Sequence, residues 1–336
     1  MNQFRAIASY LKCSTIFGAA FFLFSSCSAD GGTGSGSILP MGQISYDSIH
    51  LYNAETVNLG RKLFFDKRLS VNNTVACASC HLPALAFTDG RKKAVGINNN
   101  ATMRNAPTLL NVGYQPHFMF DGAVPTLEMQ ALVPLKDTNE MGNDIQQLIE
   151  KLSHVPEYQQ LAKSLYGREF DAFVLTRALG SFQRSLISQN SPFDQWFYHA
   201  DEHAVSGSVK NGYRIFSDKL YCASCHPAPT FTTYDILSNG RDSLSNDEGL
   251  YRITGLTKDI GKFKIPTLRN IALTGPYMHD GSVQSLREVI HYYAKGGDGH
   301  PNQDQRIISF DLSDEEVKDL LDFFESLTDT SLITSN

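Results

Sequence analysis

The sequence has little of several features that would assign a chain to one of the large protein classes. Its 336 residues contain one tryptophan, six cysteines and no long low-complexity tract. The formal net charge is −6, which argues against a nucleic-acid partner, because proteins that bind nucleic acid present basic surfaces. The 42% hydrophobic content is that of a globular protein, and the length suits two ordinary domains or one large one.

A long apolar run of membrane-spanning length is also lacking. The N-terminal stretch STIFGAAFFLFSSC follows a short positive region and has signal-peptide length, too short to cross a bilayer. Small residues before Cys27 favour a bacterial lipoprotein cleavage site, although Phe24 departs from the usual aliphatic residue there. We predict a lipoprotein-type signal peptide over 1–26 and a flexible tether over 27–50. Plain secretory cleavage and a retained anchor helix are the alternatives.

All three alternatives place the mature chain outside the cytoplasm. We expect a periplasmic or cell-envelope protein, tethered to the membrane through a lipid on Cys27. The mildly acidic surface suits a small basic protein partner. The sequence is compatible with a homodimer.

The cysteines beyond the leader occur as two copies of the word C-A-S-C-H. C-x-x-C-H is the attachment signature of c-type haem, in which both thiols bond to the haem and the histidine ligates its iron. The sequence therefore predicts two covalently bound haems, held by Cys77, Cys80 and His81, and by Cys222, Cys225 and His226. These attachments leave none of the four cysteines for a disulfide.

Zinc and thiol redox chemistry are the alternatives for these words. Two C-x-x-C pairs could form a four-cysteine zinc site, but zinc does not require a histidine after each second cysteine. The pairs also stand 145 residues apart, which is long for one zinc module. Thioredoxin-like chemistry needs one such motif rather than two.

The surroundings of the two words are repeated as well. Each word follows the pattern G-x-x-aliphatic-F-x-D-K, which predicts a short helix leading into the haem. Downstream, the segment from Pro107 matches the segment from Pro266 at a constant offset of 159 through Leu127 and Leu286. We infer a duplicated mono-haem domain, with an N-terminal domain over 51–200 and a C-terminal domain over 201–336.

The same offset pairs Pro134 with Tyr293. Proline cannot ligate iron, whereas tyrosine can do so as phenolate. If these positions face the two irons, the first haem has an open sixth site for peroxide and the second is closed for electron transfer. Ordinary packing of Tyr293 is the competing interpretation, and four other side chains compete as ligands: Met278, His279, His291 and His300.

These motifs resemble the bacterial di-haem cytochrome c peroxidases and the MauG-type enzymes that mature a tryptophan-derived quinone. The resemblance covers roughly residues 55–330 and rests on RNAPTLLN, FDGAVPTLEMQALVPLKDTNEM and IPTLRNIALTGPYMHDGSVQSL. It implies a mainly helical protein of two cytochrome c-like domains, each with one haem. It also implies peroxide as substrate and a small electron-donor protein, such as a cytochrome c, as partner.

The resemblance implies further site residues. Gln130 and Glu140 match the family's peroxidatic pocket, with Pro134 between them. Tyr293 falls where the peroxidases have an axial methionine and the MauG-type enzymes have tyrosine. One calcium ion is expected between the domains, with oxygen ligands from Asn105, Thr274 and Pro276, the last two through backbone carbonyls.

Two departures from the family bear on activity. No histidine stands near Ile97, the place of the peroxidases' mobile distal histidine, so we expect no need for reductive activation. Phe120 replaces the tryptophan between the haems, and the single Trp196 lies elsewhere. The sequence thus favours a peroxidase in which Glu140 is the general base and acid. A MauG-like oxidase of a protein substrate and a non-enzymatic di-haem electron carrier are the alternatives.

The coarse pattern is mostly helical. Apolar residues recur at helical spacing in NDIQQLIEKLS, PEYQQLAKSLYG and DAFVLTRALGSFQRSLI. Ser313 and Glu316 form a predicted capping box for the helix in LSDEEVKDLLDFFESL. Its apolar face is predicted as Val317, Leu320, Leu321, Phe324 and Leu327. We interpret 231–263, rich in Gly, Ser and Asp, as a surface linker.

Overall fold

A computed structural model describes residues 52–241 and 247–333, and within these ranges the chain is mainly helical. The predicted signal peptide, Cys27 and the tether lie outside the described residues. In the described ranges no helix is both long and apolar enough to cross a membrane. The helices are α1 Ala54–Phe64, α2 Leu127–Lys136, α3 Ile145–Ser153, α4 Pro156–Tyr166, α5 Ala172–Arg184, α6 Pro192–Phe197, α7 Gly207–Arg214, α8 Tyr251–Thr254, α9 Leu286–Ala294 and α10 Asp314–Ser326.

Short elements connect these helices. Three-residue 3-10 turns recur along the chain, and one small antiparallel sheet joins β1 Ile236–Leu237 to β2 Phe263–Lys264. Ile236 stands opposite Lys264 in this sheet. All of β1 and the first residue of β2 lie within 231–263, so the interpretation of this segment as a plain surface linker is wrong in part.

The first hydrophobic core is built on the pair α1 and α5. The side chain of Asn53 accepts hydrogen bonds from the first turn of α1 and begins the helix. Leu59, Leu63 and Phe64 then form its buried face. Gly60 lets α5 approach closely, because a Cβ at this position would overlap the carbonyl oxygen of Ala178.

The second core repeats this arrangement with α7 and α10. A Cβ at Gly212 would overlap the carbonyl oxygen of Asp319. The Ser313–Glu316 capping box that begins α10 is confirmed. The predicted apolar face of α10 is buried, with Leu321 only in part, and the pattern missed Phe323, which is fully buried.

The two cores are assembled from consecutive parts of the chain. The buried residues of the first lie between 59 and 186, and those of the second between 193 and 327. Local geometry also recurs at the predicted offset. Asn111 and Asn270 both have a positive φ and both precede a 3-10 turn. Antiparallel bridges follow each turn, Phe118 to Val124 and Tyr277 to Val283.

The helices that precede the C-A-S-C-H words differ in their last turn. In the first copy α1 ends at Phe64 and a separate 3-10 turn carries Lys67. In the second copy α7 continues directly into a π-helical turn, Ile215–Lys219. The predicted short helix is therefore confirmed in both copies, and only its end is different.

Candidate functional site

The first C-A-S-C-H word folds as a tight turn. The residues Cys77–Ser79 form a 3-10 turn, and the backbone N–H of His81 donates to the carbonyl of Cys77 at 3.0 Å. Both thiols are free and half-buried. Burial raises the pKa of Cys77 to about 12 and that of Cys80 to about 11. The turn thus presents two neutral thiols and one imidazole together.

A backbone carbonyl holds the imidazole of His81. Its Nδ1 lies 2.9 Å from the carbonyl oxygen of Phe87. Burial lowers the pKa of His81, so the ring is neutral and Nδ1 carries the proton that it donates. Nε2 then keeps its lone pair. This is the arrangement that proteins use to orient a histidine toward a metal.

The second word repeats the same geometry. Cys222–Ser224 form a 3-10 turn, and Nδ1 of His226 donates to the carbonyl of Phe231 at 3.0 Å. Burial lowers the pKa of His226 to about 4 and raises that of Cys222 to about 12. Both copies therefore fit a haem that is bonded through two thiols and ligated through Nε2.

The zinc alternative fails on geometry. Across residues 52–241 and 247–333, no three His, Cys, Asp or Glu side chains form a cluster that could hold a metal ion. The two cysteine pairs consequently do not meet in a four-cysteine site.

Glu140 lies on the side of the first cysteine pair. Its backbone carbonyl accepts from the N–H of Ile97 at 2.8 Å. Burial, and next the charge of Asp137, raise the pKa of the carboxyl to about 7. The charge of Glu140 in turn raises the pKa of both Cys77 and Cys80. A carboxyl with a pKa raised to about 7 thus lies within electrostatic reach of the turn that carries Cys77 and Cys80.

Gln130 and Pro134 lie one turn apart on α2, and therefore on the same face of the helix. The N–H of Met141 donates to the carbonyl of Pro134 at 3.2 Å, which holds the chain after Glu140 under α2. The amide Nε2 of Gln130 lies 4.0 Å from the sulfur of Met119. Gln130 and Pro134 thus share one face of α2, and the chain next to Glu140 is hydrogen-bonded to the end of that helix; the peroxide pocket itself stays a prediction.

Tyr293 lies on α9, near enough to the second cysteine pair for the two thiols to act on its pKa. Burial raises the pKa of its phenol, and the thiols of Cys222 and Cys225 raise it further. The amide Nδ2 of Asn239 lies 3.5 Å from the phenol oxygen of Tyr293 and 3.6 Å from the sulfur of Met278. Sequence reasoning missed Asn239, because it falls in the segment that we interpreted as a linker.

The histidines that compete with Tyr293 have other environments. His291 is exposed. Nδ1 of His300 accepts from the backbone N–H of Asn302 at 3.0 Å. The ring of His279 stacks on Phe263, with centroids 3.8 Å apart.

The predicted calcium ligands lie around a contact between the two halves of the chain. The backbone N–H of Asn105 donates to the carbonyl of His279 at 2.8 Å, and its amide Nδ2 donates to the carbonyl of Arg91 at 2.7 Å. Thr274 and Pro276 lie shortly before His279 along the chain. The calcium site remains a prediction.

Two cations that the sequence did not single out join the halves. The guanidinium of Arg104 binds both carboxylate oxygens of Asp247, at 2.6 and 2.9 Å, and Asp121 at 2.8 Å. Lys264 donates from its backbone to the carbonyl of Phe120 at 2.6 Å and from Nζ to that of His117 at 3.0 Å. Burial lowers the pKa of Lys264 to about 8.

Known proteins resemble this chain in sequence and in fold. A family model described as di-haem cytochrome c peroxidase matches residues 54–202. Methylamine utilization protein MauG of Methylorubrum extorquens is 38% identical over 278 residues, covering 81% of this chain and 78% of that protein. Cytochrome-c peroxidase IdrP1 of Denitromonas iodatirespirans is 32% identical, with 82% of each chain covered. A crystal structure of a MauG-like protein associated with microbial copper homeostasis has a TM-score of 0.82 and 31% identity, covering 88% of this chain and 95% of that one.

The chain therefore belongs to the family of di-haem cytochrome c peroxidases and MauG proteins. It is an oxidoreductase, and the alternative of a non-enzymatic electron carrier does not hold. Its relatives include proteins named as peroxidases and proteins named as MauG, so the particular reaction has to be argued from the site.

Proposed function

We propose that the protein reduces hydrogen peroxide to water with electrons from a small redox protein such as a cytochrome c. Two haems of the c type are bonded to Cys77 and Cys80 and to Cys222 and Cys225. His81 and His226 are their proximal ligands. The observation that carries the proposal is the difference between the halves at one equivalent position, which is Pro134 in the first half and Tyr293 in the second. Because proline cannot ligate iron and tyrosine can, the first haem would stay open and the second would be closed by Tyr293.

The two haems supply the binding of peroxide and the storage of oxidising equivalents. The chain supplies proton transfer. With a pKa raised to about 7 by burial, Glu140 exists in both protonation states near neutral pH and can act as base and then as acid. It takes the proton from the near oxygen of peroxide and returns it to the far oxygen. The amide of Gln130 orients the peroxide by hydrogen bonds.

Tyr293 is the proposed sixth ligand of the second haem. A phenolate ligand stabilises high iron oxidation states, whereas a methionine would raise the potential. The neighbouring amide of Asn239, 3.5 Å from the phenol oxygen, stabilises negative charge on that oxygen. With Tyr293 as its phenolate ligand, the second haem would supply a ferric centre that shares the oxidising equivalent.

The surroundings of the site complete the proposal. One calcium ion binds between the halves through Asn105 and the carbonyls of Thr274 and Pro276. The mature protein is periplasmic and tethered through a lipid on Cys27. The 51–200 and 201–336 domains arose by duplication, which the recurring geometry at the offset of 159 supports. The proposal holds for a monomer and for a homodimer.

A second candidate function is MauG-like oxidation of a protein substrate. Two observations favour it, namely the 38% identity to a MauG and the position of Tyr293 beside the second cysteine pair. The half-buried Trp196, over which the Lys210 ammonium lies at 5.8 Å, is a candidate relay toward such a substrate.

Stoichiometry tests the peroxidase against this alternative. Under anaerobic conditions, the holo-protein is mixed with reduced cytochrome c and a limiting amount of peroxide. A peroxidase oxidises two cytochromes per peroxide over many turnovers, because each peroxide needs two electrons. Consumption of peroxide without cytochrome oxidation, accompanied by oxidation of an added protein, would favour the MauG-like reaction.

A further inference from the structure

The sulfur of Met119 lies at the amide that the proposed mechanism uses to hold peroxide. Met119 occupies a turn with a left-handed φ of 68°, closed by the bridge from Phe118 to Val124. This turn places the sulfur 4.0 Å from Nε2 of Gln130. The bridged turn sets the direction in which the Met119 side chain leaves the backbone, and its sulfur contacts the amide of Gln130.

We propose that Met119 is a modification site at which hydrogen peroxide held in the pocket oxidises the thioether to methionine sulfoxide. The proposal rests on the proposed function, since it uses the same bound peroxide. In the step an S–O bond forms and the O–O bond breaks. The sulfur loses two electrons, and the other oxygen leaves as water.

The geometry suits this transfer. A peroxide oxygen that accepts from Nε2 of Gln130 stands about 3 Å from that nitrogen. The sulfur is 4.0 Å from the same nitrogen, so an oxygen on that side of the amide lies in van der Waals contact with it. Holding two reactants in contact raises their rate far above that of a collision in solution.

Exposure alone predicts a different order of oxidation among the methionines. Met103 and Met129 are 51% and 52% exposed, whereas Met119 is only half-buried and Met141 is 3% exposed. Peroxide from bulk solvent would therefore reach Met103 and Met129 first. Early oxidation at Met119 requires peroxide that is held next to it.

The second half contains a matched thioether. Met278 stands at the offset of 159, has the same left-handed φ at 73°, and places its sulfur 3.6 Å from Nδ2 of Asn239. Its surroundings belong to the haem that Tyr293 closes, where the proposed function holds no peroxide. Met278 is thus the internal control, because its backbone conformation matches that of Met119 while the proposed function places no peroxide beside it.

The modification would inhibit turnover. A sulfoxide oxygen accepts hydrogen bonds strongly, whereas a thioether sulfur accepts them only weakly. After oxidation the amide of Gln130 donates to that oxygen and is withdrawn from peroxide. Turnover falls at high peroxide, and a methionine sulfoxide reductase would restore it.

Peptide mapping of the holo-protein tests this order directly. The protein is treated with graded hydrogen peroxide, quenched with catalase and digested, and the sulfoxide at each methionine is measured by mass spectrometry. We expect Met119 to be oxidised about tenfold faster than Met129 and Met278. Oxidation of Met103 and Met129 ahead of Met119 would overturn the proposal.

The variant Met119→Leu keeps the volume and removes the sulfur. Wild type and variant are exposed to peroxide, and each is compared with its own untreated activity. The wild type is expected to lose activity in step with Met119 sulfoxide, and the variant to keep its starting value. An equal fractional loss of activity in the wild type and in Met119→Leu overturns the inhibition by Met119 sulfoxide.

Cytochrome c oxidation in the same samples separates this proposal from the proposed function. Turnover without early Met119 oxidation overturns the modification and leaves the peroxidase standing. Early Met119 oxidation without turnover supports the modification and overturns the peroxidase. Absence of both overturns both.

Discussion

The side-chain amide of Asn239 lies 3.5 Å from the phenol oxygen of Tyr293. A neutral amide donor at this place favours negative charge on the phenol oxygen, as a ligand to ferric iron requires. Asn239 also accepts from the hydroxyl of the neighbouring Tyr292 through its backbone carbonyl at 3.1 Å. One residue of a segment without regular periodicity therefore organises both tyrosines of α9.

Replacement of Asn239 by alanine tests this relationship. Asn239→Ala removes the donor, and a hydrogen bond to a charged oxygen contributes about 1.5–3 kcal/mol. We expect the reduction potential of the second haem to fall, because the proposed phenolate ligand, once it has lost this hydrogen-bond donor, gives more electron density to the ferric iron. Protein-film voltammetry measures the potential. The control is Asn302→Ala, whose amide binds the carbonyls of Thr257 and Ile260. An unchanged potential in Asn239→Ala would refute the role of this donor.

The general base is tested by Glu140→Gln. The amide keeps the size of the carboxyl but cannot accept the peroxide proton, so we expect kcat/KM for peroxide to fall by about 100- to 10,000-fold. In the wild type kcat/KM should rise with pH and level off above about 7, since the reacting form is the carboxylate. The variant should lack this rise. Wild-type activity in Glu140→Gln would remove the carboxyl from the mechanism.

A neighbouring charge should shift this pH profile. Asp137 raises the pKa of Glu140, next after burial. Asp137→Asn removes that charge, so the rise in kcat/KM should move to lower pH while the plateau changes little. Asp144→Asn, a change at the N-cap of α3, is the matched control. A profile that stays in place, or moves to higher pH, would show that Asp137 does not act on Glu140.

The close approach of α1 and α5 gives a prediction about stability. Gly60→Ala forces a Cβ onto the carbonyl oxygen of Ala178, and we expect the free energy of unfolding to fall by about 1–3 kcal/mol or more. Gly207→Ala at the start of α7 is the control, because a Cβ there meets nothing within 4 Å. Urea denaturation of the two holo-variants compares them. Equal stability would mean that the helices are not packed this closely.

Local patterns made much of the architecture predictable. The capping box of Ser313 and Glu316 located the start of α10, and the offset of 159 located two turns of the same geometry. These features depend on residues that are near in sequence or repeated in it. These features can therefore be predicted directly from the sequence pattern.

Contacts between distant residues were not predictable in the same way. Arg104 and Asp247 are separated by 143 positions and meet only because the chain folds. Asn239 was interpreted as part of a linker because its segment has no helical or strand periodicity. The raised pKa of Glu140 likewise comes from burial, which depends on how α2 and the segment around Ile97 pack. A single sequence does not reveal such pairings.

Low-temperature EPR of the ferric holo-protein tests the central claim most directly, because it reports the coordination of each haem separately. The account predicts one high-spin signal from the haem bound at Cys77 and Cys80, and one low-spin signal from the haem that Tyr293 ligates. Tyr293→Phe should remove the low-spin signal and leave the high-spin one. Two low-spin signals in the resting wild type, or a low-spin signal unchanged by Tyr293→Phe, would contradict it.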